Sequence, residues 1–302
     1  MTGQAVNGAA VHSQILNAMT VDVEDYFHVE AFANVIDRAD WASMPCRVEA
    51  NTDRILAQFD AAGVKATLFT LGWVAERYPQ IVRRIVAQGH ELASHGYEHH
   101  RVDRQTPEAF ASDVTRARAL LEDIGGVAVL GYRAPTFSIS ARTPWAYDAL
   151  AAAGYRYSSS VYPVKHDLYG SPNATRFPEK VAGGALWELP MTTIELGARR
   201  IPCSGGGFFR LLPYTIYRQG LRRFNVTEHR GGMFYTHPWE LDPGQPRVKA
   251  PLRSRFRHYL NLHRTSPRLD RLLRDFAWGR VDQVYAAELA PELAPELAQG
   301  AT

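Results

Sequence analysis

The sequence holds little cysteine, and its charges nearly cancel. Only two of the 302 residues are cysteine, Cys46 and Cys203, and they stand far apart in the chain. They form neither a C-x-x-C metal motif nor a disulfide framework, so we expect two reduced thiols. The formal net charge of +3 gives no argument for a nucleic-acid partner.

Long apolar runs are missing as well. No stretch of about 18 uncharged apolar residues occurs, so we expect no membrane-spanning helix. Residues 1–17 lack the basic start and the unbroken apolar run of a secretory signal peptide, which predicts a cytoplasmic protein. Hydrophobic residues make up 46% of the chain and charged residues 22%, a balance typical of a globular protein with a sizeable core.

The composition along the chain predicts one domain with two loose ends. Residues 1–14 are small and polar and read as a flexible leader. Residues 15–281 form the body, without an internal repeat or a linker that would divide it. Residues 282–302 contain the repeat ELAPELAPELA and are predicted to be a low-complexity tail.

Strand-like and helix-like segments alternate through the body. Residues 15–23 and 66–71 are apolar runs that favour buried strands, and residues 51–62 have the apolar spacing of a helix. The same alternation continues to about residue 236, which predicts an α/β architecture. Polar residues cluster just after the predicted strand ends, where barrel enzymes carry their catalytic groups.

The first polar cluster is Asp22-Val23-Glu24-Asp25, at the end of the first predicted strand. Three carboxylates so close together repel one another unless a cation or an arginine compensates them. Strand alternation would place Asp22 and Glu24 on one face and Asp25 on the other, unless the strand has already ended. A solvated turn or a helix N-cap explains the cluster about equally well.

The second cluster is Ser94-His95-Gly96-Tyr97-Glu98-His99-His100. One turn of helix would place His95 and His99 on the same side, with His100 as a substitute for His99. Two imidazoles and one carboxylate, with open positions for water, are the usual ligands of a catalytic divalent metal. Histidine pairs at this spacing also occur by chance on protein surfaces.

Two later motifs each contain one candidate catalytic residue. Arg133, in Arg133-Ala134-Pro135, follows a predicted strand and could hold a carboxylate ionised and oriented. His237, in Thr236-His237-Pro238, closes another strand beside Trp239 and Glu240 and suits a general acid. Each motif alone is more simply explained, as a surface arginine in a turn or a structural histidine.

Taken in this order, the motifs resemble those of the NodB-homology polysaccharide deacetylases, carbohydrate esterase family four. The family pattern comprises a paired-carboxylate motif, an H-x-x-x-H motif, an R-x-P motif, an apolar-aromatic motif and a late histidine. The matching segments here are DVED at 22–25, HGYEH at 95–99, RAP at 133–135, LWELP at 186–190 and THP at 236–238. The resemblance implies a distorted (β/α) barrel in a single catalytic domain.

The resemblance also implies roles for individual residues. The metal would be held by His95, His99 and Asp25, with Glu24 as the alternative carboxylate, because the family's adjacent aspartates are replaced here by D-V-E-D. Zinc is the expected metal, although cobalt, nickel or manganese can occupy such sites. Asp22 would act as the base, supported by Arg133, and His237 as the acid. The aromatic candidates for stacking on a sugar are Tyr132, Trp187 and Trp239.

A narrower resemblance is to deacetylases associated with exosortase-linked exopolysaccharide loci. It rests on TVDVEDYFH at 20–28, GGGFFRLLPY at 205–214 and HPWELDPGQPR at 237–247, and it implies a C-terminal extension at about 242–281. The implied function is removal of N-acetyl groups from a polysaccharide or a lipid-linked oligosaccharide. The arginine-rich residues 247–274 are a candidate contact for an anionic membrane, or they pair with acids of the barrel.

Two other functions stay open. The variant carboxylate motif also resembles allantoin-type amidohydrolases, which open cyclic amides on the same scaffold. A glycan-binding protein without catalysis is the third alternative. The glycan, the metal and the oligomeric state do not follow from the sequence.

Overall fold

The computed structural model describes residues 15–197 and 199–290. The strands are β1 (Leu16–Val23), β2 (Thr67–Thr70), β3 (Glu91–Ser94), β4 (Gly131–Tyr132), β5 (Tyr157–Ser158), β6 (Glu179–Val181), β7 (Leu186–Glu188), β8 (Thr193–Leu196), β9 (Arg199–Pro202), β10 (Met233–Thr236) and β11 (Ala277–Gly279). The helices are α1 (Val48–Ala61), α2 (Gly72–Arg77), α3 (Pro79–Ala87), α4 (Pro107–Gly125), α5 (Trp145–Ala152), α6 (Gly206–Leu211), α7 (Tyr214–Glu228), α8 (Leu252–Tyr259), α9 (Leu262–Asp275) and α10 (Val281–Val284).

Nine strands form one mostly parallel sheet in the order β10-β1-β2-β3-β4-β5-β7-β6, with β11 also paired to β1. Only the β6–β7 pair in this sheet is antiparallel among the described residues, and β8 and β9 form a separate hairpin. The predicted α/β fold in a single domain is confirmed. The pairing path stays open between β6 and β10, and the backbone N–H of Tyr235 in β10 donates to the carbonyl oxygen of the loop residue Ser204. That irregular side accounts for the distortion expected of the barrel.

The central strand β1 is buried on both faces from Asn17 to Val23. A strand covered on both sides carries a continuous apolar run rather than an alternating one, which is why residues 15–23 were recognisable in the sequence. It pairs in parallel with β2 and β10, so that the carboxyl ends of the three strands lie at the same edge of the sheet.

The residues at both ends of the longest helix, α4, are typical helix-capping residues. The side chain of Thr106 accepts a hydrogen bond from the backbone N–H of Ala109, and Pro107 occupies the first helical position. Gly126 ends the helix with a φ of 64°, a left-handed conformation that costs glycine little. The buried face of α4, which includes Phe110, Val114 and Leu121, packs on the sheet.

The ends of the chain differ in part from the prediction. The leader at residues 1–14 and the last part of the tail, residues 291–302, lie outside the described residues. The tail does not begin at residue 282, because 281–284 form α10 and the side chains of Tyr285 and Leu289 are buried in the core. In the part of the chain that the structure covers, no helix has the length and hydropathy needed to cross a bilayer.

Candidate active site

Four parallel strands bring the predicted motifs to one place. Asp22 is near the end of β1, and His95, Arg133 and His237 directly follow β3, β4 and β10. These strands lie in the continuous run β10-β1-β2-β3-β4 of the sheet and point in the same direction, so their carboxyl ends form a common rim. Asp22, His95 and His237 all line one pocket of about 490 Å³.

Three side chains at this rim could hold a metal ion: Glu24, His95 and His99. One ligand atom from each lies within 4.8 Å of the others, and all three residues are buried. Nδ1 of His95 is 2.8 Å from the carbonyl oxygen of Arg133, so this nitrogen carries the proton and Nε2 keeps a free lone pair. Burial lowers the pKa of His95 to about 4, which leaves the imidazole in the neutral form that binds metals.

An observation independent of the motif supports the fit to a cation. Oε2 of Glu24 is buried without a hydrogen bond, although it lies 3.0 Å from Nε2 of His99. A buried carboxylate oxygen without a donor is costly, and a divalent cation held by two histidines and one carboxylate would satisfy it. The donor set therefore fits zinc or a related divalent metal.

The histidine pair is formed by a bent loop, which corrects the prediction of a helical turn. Residues 95–100 are not helical, and Gly96 and His99 both have positive φ angles, 76° and 53°. The loop is fixed because the backbone N–H of Tyr97 donates to Oδ2 of Asp113 at 3.1 Å. The imidazoles of His95 and His99 have ring centroids 5.2 Å apart, so the loop brings the two rings together without a helical turn.

Asp25, the favoured carboxylate ligand of the sequence analysis, lies apart from this cluster. Its Oδ2 accepts hydrogen bonds from the backbone N–H groups of Arg47 and Val48, and its Oδ1 from that of Tyr26. Asp25 lies two residues past the end of β1, just before a turn that begins at Tyr26, and these amides hold its carboxylate away from the cluster. The structure thus favours Glu24, the alternative, over Asp25. Burial raises the pKa of Asp25 against the lowering effect of these amides.

Asp22 is held by Arg133, as the resemblance implied. Nη1 of Arg133 is 2.7 Å from Oδ1 of Asp22 and 2.8 Å from Oγ1 of Thr20, and the guanidinium is fully buried. Nε and Nη2 of the same arginine donate to the carbonyl and hydroxyl oxygens of Ser159. A buried charge bound on several sides is fixed in position. Asp22 therefore presents its second oxygen, Oδ2, to the pocket, 3.8 Å from Nε2 of His237.

His237 is oriented by two residues to which the sequence analysis gave no role. Its Nδ1 lies 2.7 Å from Oε1 of Glu240, and Oε2 of Glu240 lies 2.6 Å from Nε of Arg210. Burial opposes protonation of His237, but the bond to Glu240 and the nearby carboxylates outweigh it and raise the pKa to about 9. Burial also opposes ionisation of Glu240, whose pKa the charge of Arg210 nevertheless lowers to about 2. His237 thus enters the pocket as a proton donor.

Only the i, i+3 spacing of His237 and Glu240 could have indicated this pair from the sequence. Arg210 comes from α6, in a part of the chain where no spacing rule connects it to Glu240. It also donates to the carbonyl oxygens of Arg257, His258 and Leu260 and so ties the segment around α8 to the site.

The three aromatic candidates have different positions. Trp239 lines the pocket, stacks on the ring of His258 and donates from Nε1 to Oε1 of Glu24 at 3.3 Å. Tyr132 is buried in the core against Phe110 and is not among the residues that line the pocket. Trp187, on β7, is likewise absent from the lining, and its ring lies beside the ammonium group of Lys180 on β6. Trp239 remains the candidate for substrate contact, and Tyr132 and Trp187 are corrected to structural positions.

Two protein families match the chain, and the candidate site takes residues from both matched segments. Residues 40–158 match the family described as polysaccharide deacetylase. Over this segment the chain is similar to the polysaccharide deacetylases. Residues 159–286 match a domain of unknown function, DUF3473. The candidate site combines Asp22 and Glu24, which precede both matched segments, with His95 and Arg133 from the first and His237 from the second.

Individual relatives share the deacetylase segment. The chain is 32% identical over 84 residues to a peptidoglycan-N-acetylglucosamine deacetylase of Bacillus cereus, which is 28% of this chain and 30% of that protein. It is 29% identical over 113 residues to a peptidoglycan deacetylase of Helicobacter pylori, 37% of this chain and 38% of that protein. The chain thus spans about a third of the length of these curated relatives.

A solved structure supports the fold over nearly the whole chain. A protein from Mycobacterium smegmatis, assigned to the polysaccharide deacetylases, superposes with a TM-score of 0.57 at 20% sequence identity. The superposition covers 91% of this chain and 92% of the other. At this identity the likeness concerns the architecture, which agrees with the mostly parallel α/β sheet.

Proposed function

We propose that the protein is a metal-dependent hydrolase that removes N-acetyl groups from a glycan. The observation that carries the proposal is the convergence of Glu24, His95 and His99 beside the ion-paired carboxylate of Asp22 in one pocket. The relatives are named as deacetylases of peptidoglycan or of its N-acetylglucosamine, and these names support an acetylated sugar as substrate. A polysaccharide or a lipid-linked oligosaccharide of exopolysaccharide biosynthesis is the substrate class we favour.

The ligands in this proposal are Glu24, His95 and His99. Zinc is the expected ion, with cobalt, nickel or manganese as substitutes. A bound divalent cation would polarise the acetyl carbonyl and lower the pKa of water in the pocket.

The remaining side chains would move protons. Asp22, fixed by its ion pair with Arg133, takes a proton from the water whose oxygen bonds to the acetyl carbon. His237, charged through its bond to Glu240, then gives a proton to the amide nitrogen as the carbon–nitrogen bond breaks. The products are acetate and a free amine on the sugar. Each proton thus has a source and an acceptor among residues at the rim of the sheet.

The test is release of acetate from acetylated chitooligosaccharides with and without a chelator. His99→Ala should abolish the reaction, because it removes one of two imidazole ligands. His100→Ala is the matched control: its side chain is about 41% exposed and it lies outside the ligand cluster, so this variant should keep the wild-type rate. Equal rates in the two variants would contradict the proposed ligand set.

The same preparations distinguish the other functions. Hydrolysis of a cyclic ureide such as allantoin, without acetate release from the sugars, would favour the amidohydrolase. Chelator-independent binding of the oligosaccharide, without any hydrolysis, would favour a glycan-binding protein.

A further inference from the structure

The face of α8 beside the active-site pocket is unusually apolar for a surface. Leu252 and Phe256 lie four residues apart, on the same side of the helix, and are 80% and 59% exposed. Leu211, at the end of α6, is 49% exposed and lines the pocket mouth together with Phe256. Large apolar side chains grouped in this way commonly mark a contact with a membrane or a partner.

Cations surround these apolar side chains. Residues 247–257 contain five lysines and arginines and no acidic residue. Asp167 provides a single carboxylate for two of them, Arg253 at 2.9 Å and Arg257 at 2.7 Å. The segment and Asp167 together therefore carry a charge of about four positive units.

A shallow cleft of about 530 Å³ lies on the same segment. Arg247, Lys249 and Arg255 line it, beside the partly exposed Val35. Phe256 and Arg257 line the active-site pocket instead. Helix α8 thus contributes Arg255 to the cationic cleft and Arg253, Phe256 and Arg257 to the lining of the active-site pocket.

One arginine of α9 has a structural role. Arg268 donates to the carbonyl oxygens of Phe209 and Arg210 and so joins α9 to α6. Arg268 thus has a structural role, although its partners are backbone carbonyl oxygens and not the acids considered for residues 247–274. The combination of exposed apolar and cationic side chains is found at residues 247–257.

We propose that the α8 face, defined here as Lys249, Leu252, Arg253, Arg255 and Phe256, docks on an anionic phospholipid bilayer. Leu252 and Phe256 would enter the interface, and the cations would lie among the lipid phosphates, which is the arrangement of interfacial amphipathic helices. The charge of the face selects an anionic surface over a neutral one. The inference goes beyond the proposed hydrolysis and stands without it, although docking would turn the pocket mouth towards glycans attached to the membrane.

The experiment is flotation of the full-length protein with two kinds of vesicle. One is phosphatidylcholine alone, and the other is phosphatidylcholine mixed equally with phosphatidylglycerol. We expect binding to the second kind only, weakened by added salt because exposed charges are screened. Equal binding to both vesicles, or binding to neither, would overturn the proposal.

Variants away from the pocket lining locate the contact. Lys249→Gln with Arg255→Gln should weaken binding to anionic vesicles by about fivefold per charge removed. The control with the same loss of charge is Arg222→Gln with Arg223→Gln, two exposed positions on α7. If the two pairs of substitutions have the same effect, general electrostatics rather than the α8 face is responsible, and the proposal fails.

The apolar contribution has its own pair of variants. Leu252→Ser should weaken binding about tenfold, since it removes one buried leucine side chain from the interface. Val226→Ser, on an exposed apolar residue of α7 that is 60% exposed, should leave binding unchanged. Acetate release from soluble chitooligosaccharides should be unaffected in the Leu252 variant. The two readouts are independent. A wild-type protein that hydrolyses the oligosaccharides but does not bind anionic vesicles would contradict this inference alone. A wild-type protein that binds the vesicles but releases no acetate would contradict the proposed function alone.

Discussion

Replacing Arg133 by methionine tests whether its ion pair with Asp22 organises the site. The guanidinium is fully buried and donates to Asp22, Thr20 and Ser159. Methionine fills similar space but leaves the buried Asp22 carboxylate without its arginine partner. Removing one partner of a buried ion pair costs about 3–5 kcal/mol of the free energy of unfolding.

A double-mutant cycle separates the pair from the rest of the environment. Asp22→Asn alone leaves the guanidinium uncompensated and should also be destabilising. When both substitutions are combined, no unpaired charge remains, so the loss should fall short of the sum of the single losses by about 2 kcal/mol or more. The assay is urea unfolding followed by far-UV circular dichroism. The exposed pair Arg84 and Asp53, 3.1 Å apart, is the control, with an expected coupling of about 0.2–1 kcal/mol. Strict additivity at Arg133 and Asp22 would refute the reasoning.

Three further substitutions test other parts of the structure. Glu240→Gln should lower kcat at least about tenfold with little change in KM, because His237 loses the charge that keeps it protonated; initial rates on chitooligosaccharides measure this. Gly131→Ala should destabilise the protein by about 1–3 kcal/mol in urea, because a Cβ there would come within 2.2 Å of the ring of Tyr157. Glu91→Gln should increase the free energy of unfolding relative to wild type as the pH rises from 5 towards 8, by up to about 3 kcal/mol.

The sign of the Glu91 effect follows from its environment. Burial, followed by a neighbouring carboxylate, raises the pKa of Glu91 to about 7 in the folded protein, from an ordinary value of 4.5. Between these values the folded state binds more protons than the unfolded state, so wild-type stability decreases as the pH rises through the window. Glutamine does not titrate, and its advantage should therefore grow with pH. A difference that stays constant from pH 5 to pH 8 would contradict the shifted pKa.

For the other two substitutions the contradicting results are also specific. Gly207→Ala, at a position with nothing within 4 Å of the added Cβ, is the control for Gly131→Ala. Equal stability of these two variants would show that Tyr157 does not pack against β4 as described. A Glu240→Gln variant with unchanged kcat would mean that His237 does not depend on Glu240.

The sequence predicted the site as far as local spacing carries information. His95, Arg133 and His237 were recognisable because each follows a buried apolar strand, and parallel strands end at a common edge. That reasoning did not identify the carboxylate of the cluster, where the structure favours Glu24 over Asp25 as the metal ligand. Strand alternation already placed Glu24 with Asp22, but the preference for Asp25 came from the family resemblance, and only the contacts of Asp25 with Arg47 and Val48 decide between them.

Contacts between residues far apart in the chain could not be predicted from the sequence. Arg210 and Glu240 are 30 residues apart and meet only because α6 and β10 are adjacent at the open side of the sheet. The same holds for Tyr132, a candidate for stacking on a sugar whose side chain is buried against Phe110. Helices α8 and α9 were missed because their many arginines hide the apolar spacing of residues such as Leu269 and Leu273.

The most direct test of the account is the zinc content of the purified protein after dialysis, measured by mass spectrometry for wild type, Glu24→Ala and Asp25→Asn. The account predicts one zinc ion per chain in the wild type and in Asp25→Asn, and loss of the ion in Glu24→Ala. Retention of zinc in Glu24→Ala, with loss in Asp25→Asn, would contradict the cluster of Glu24, His95 and His99 on which the proposed function depends.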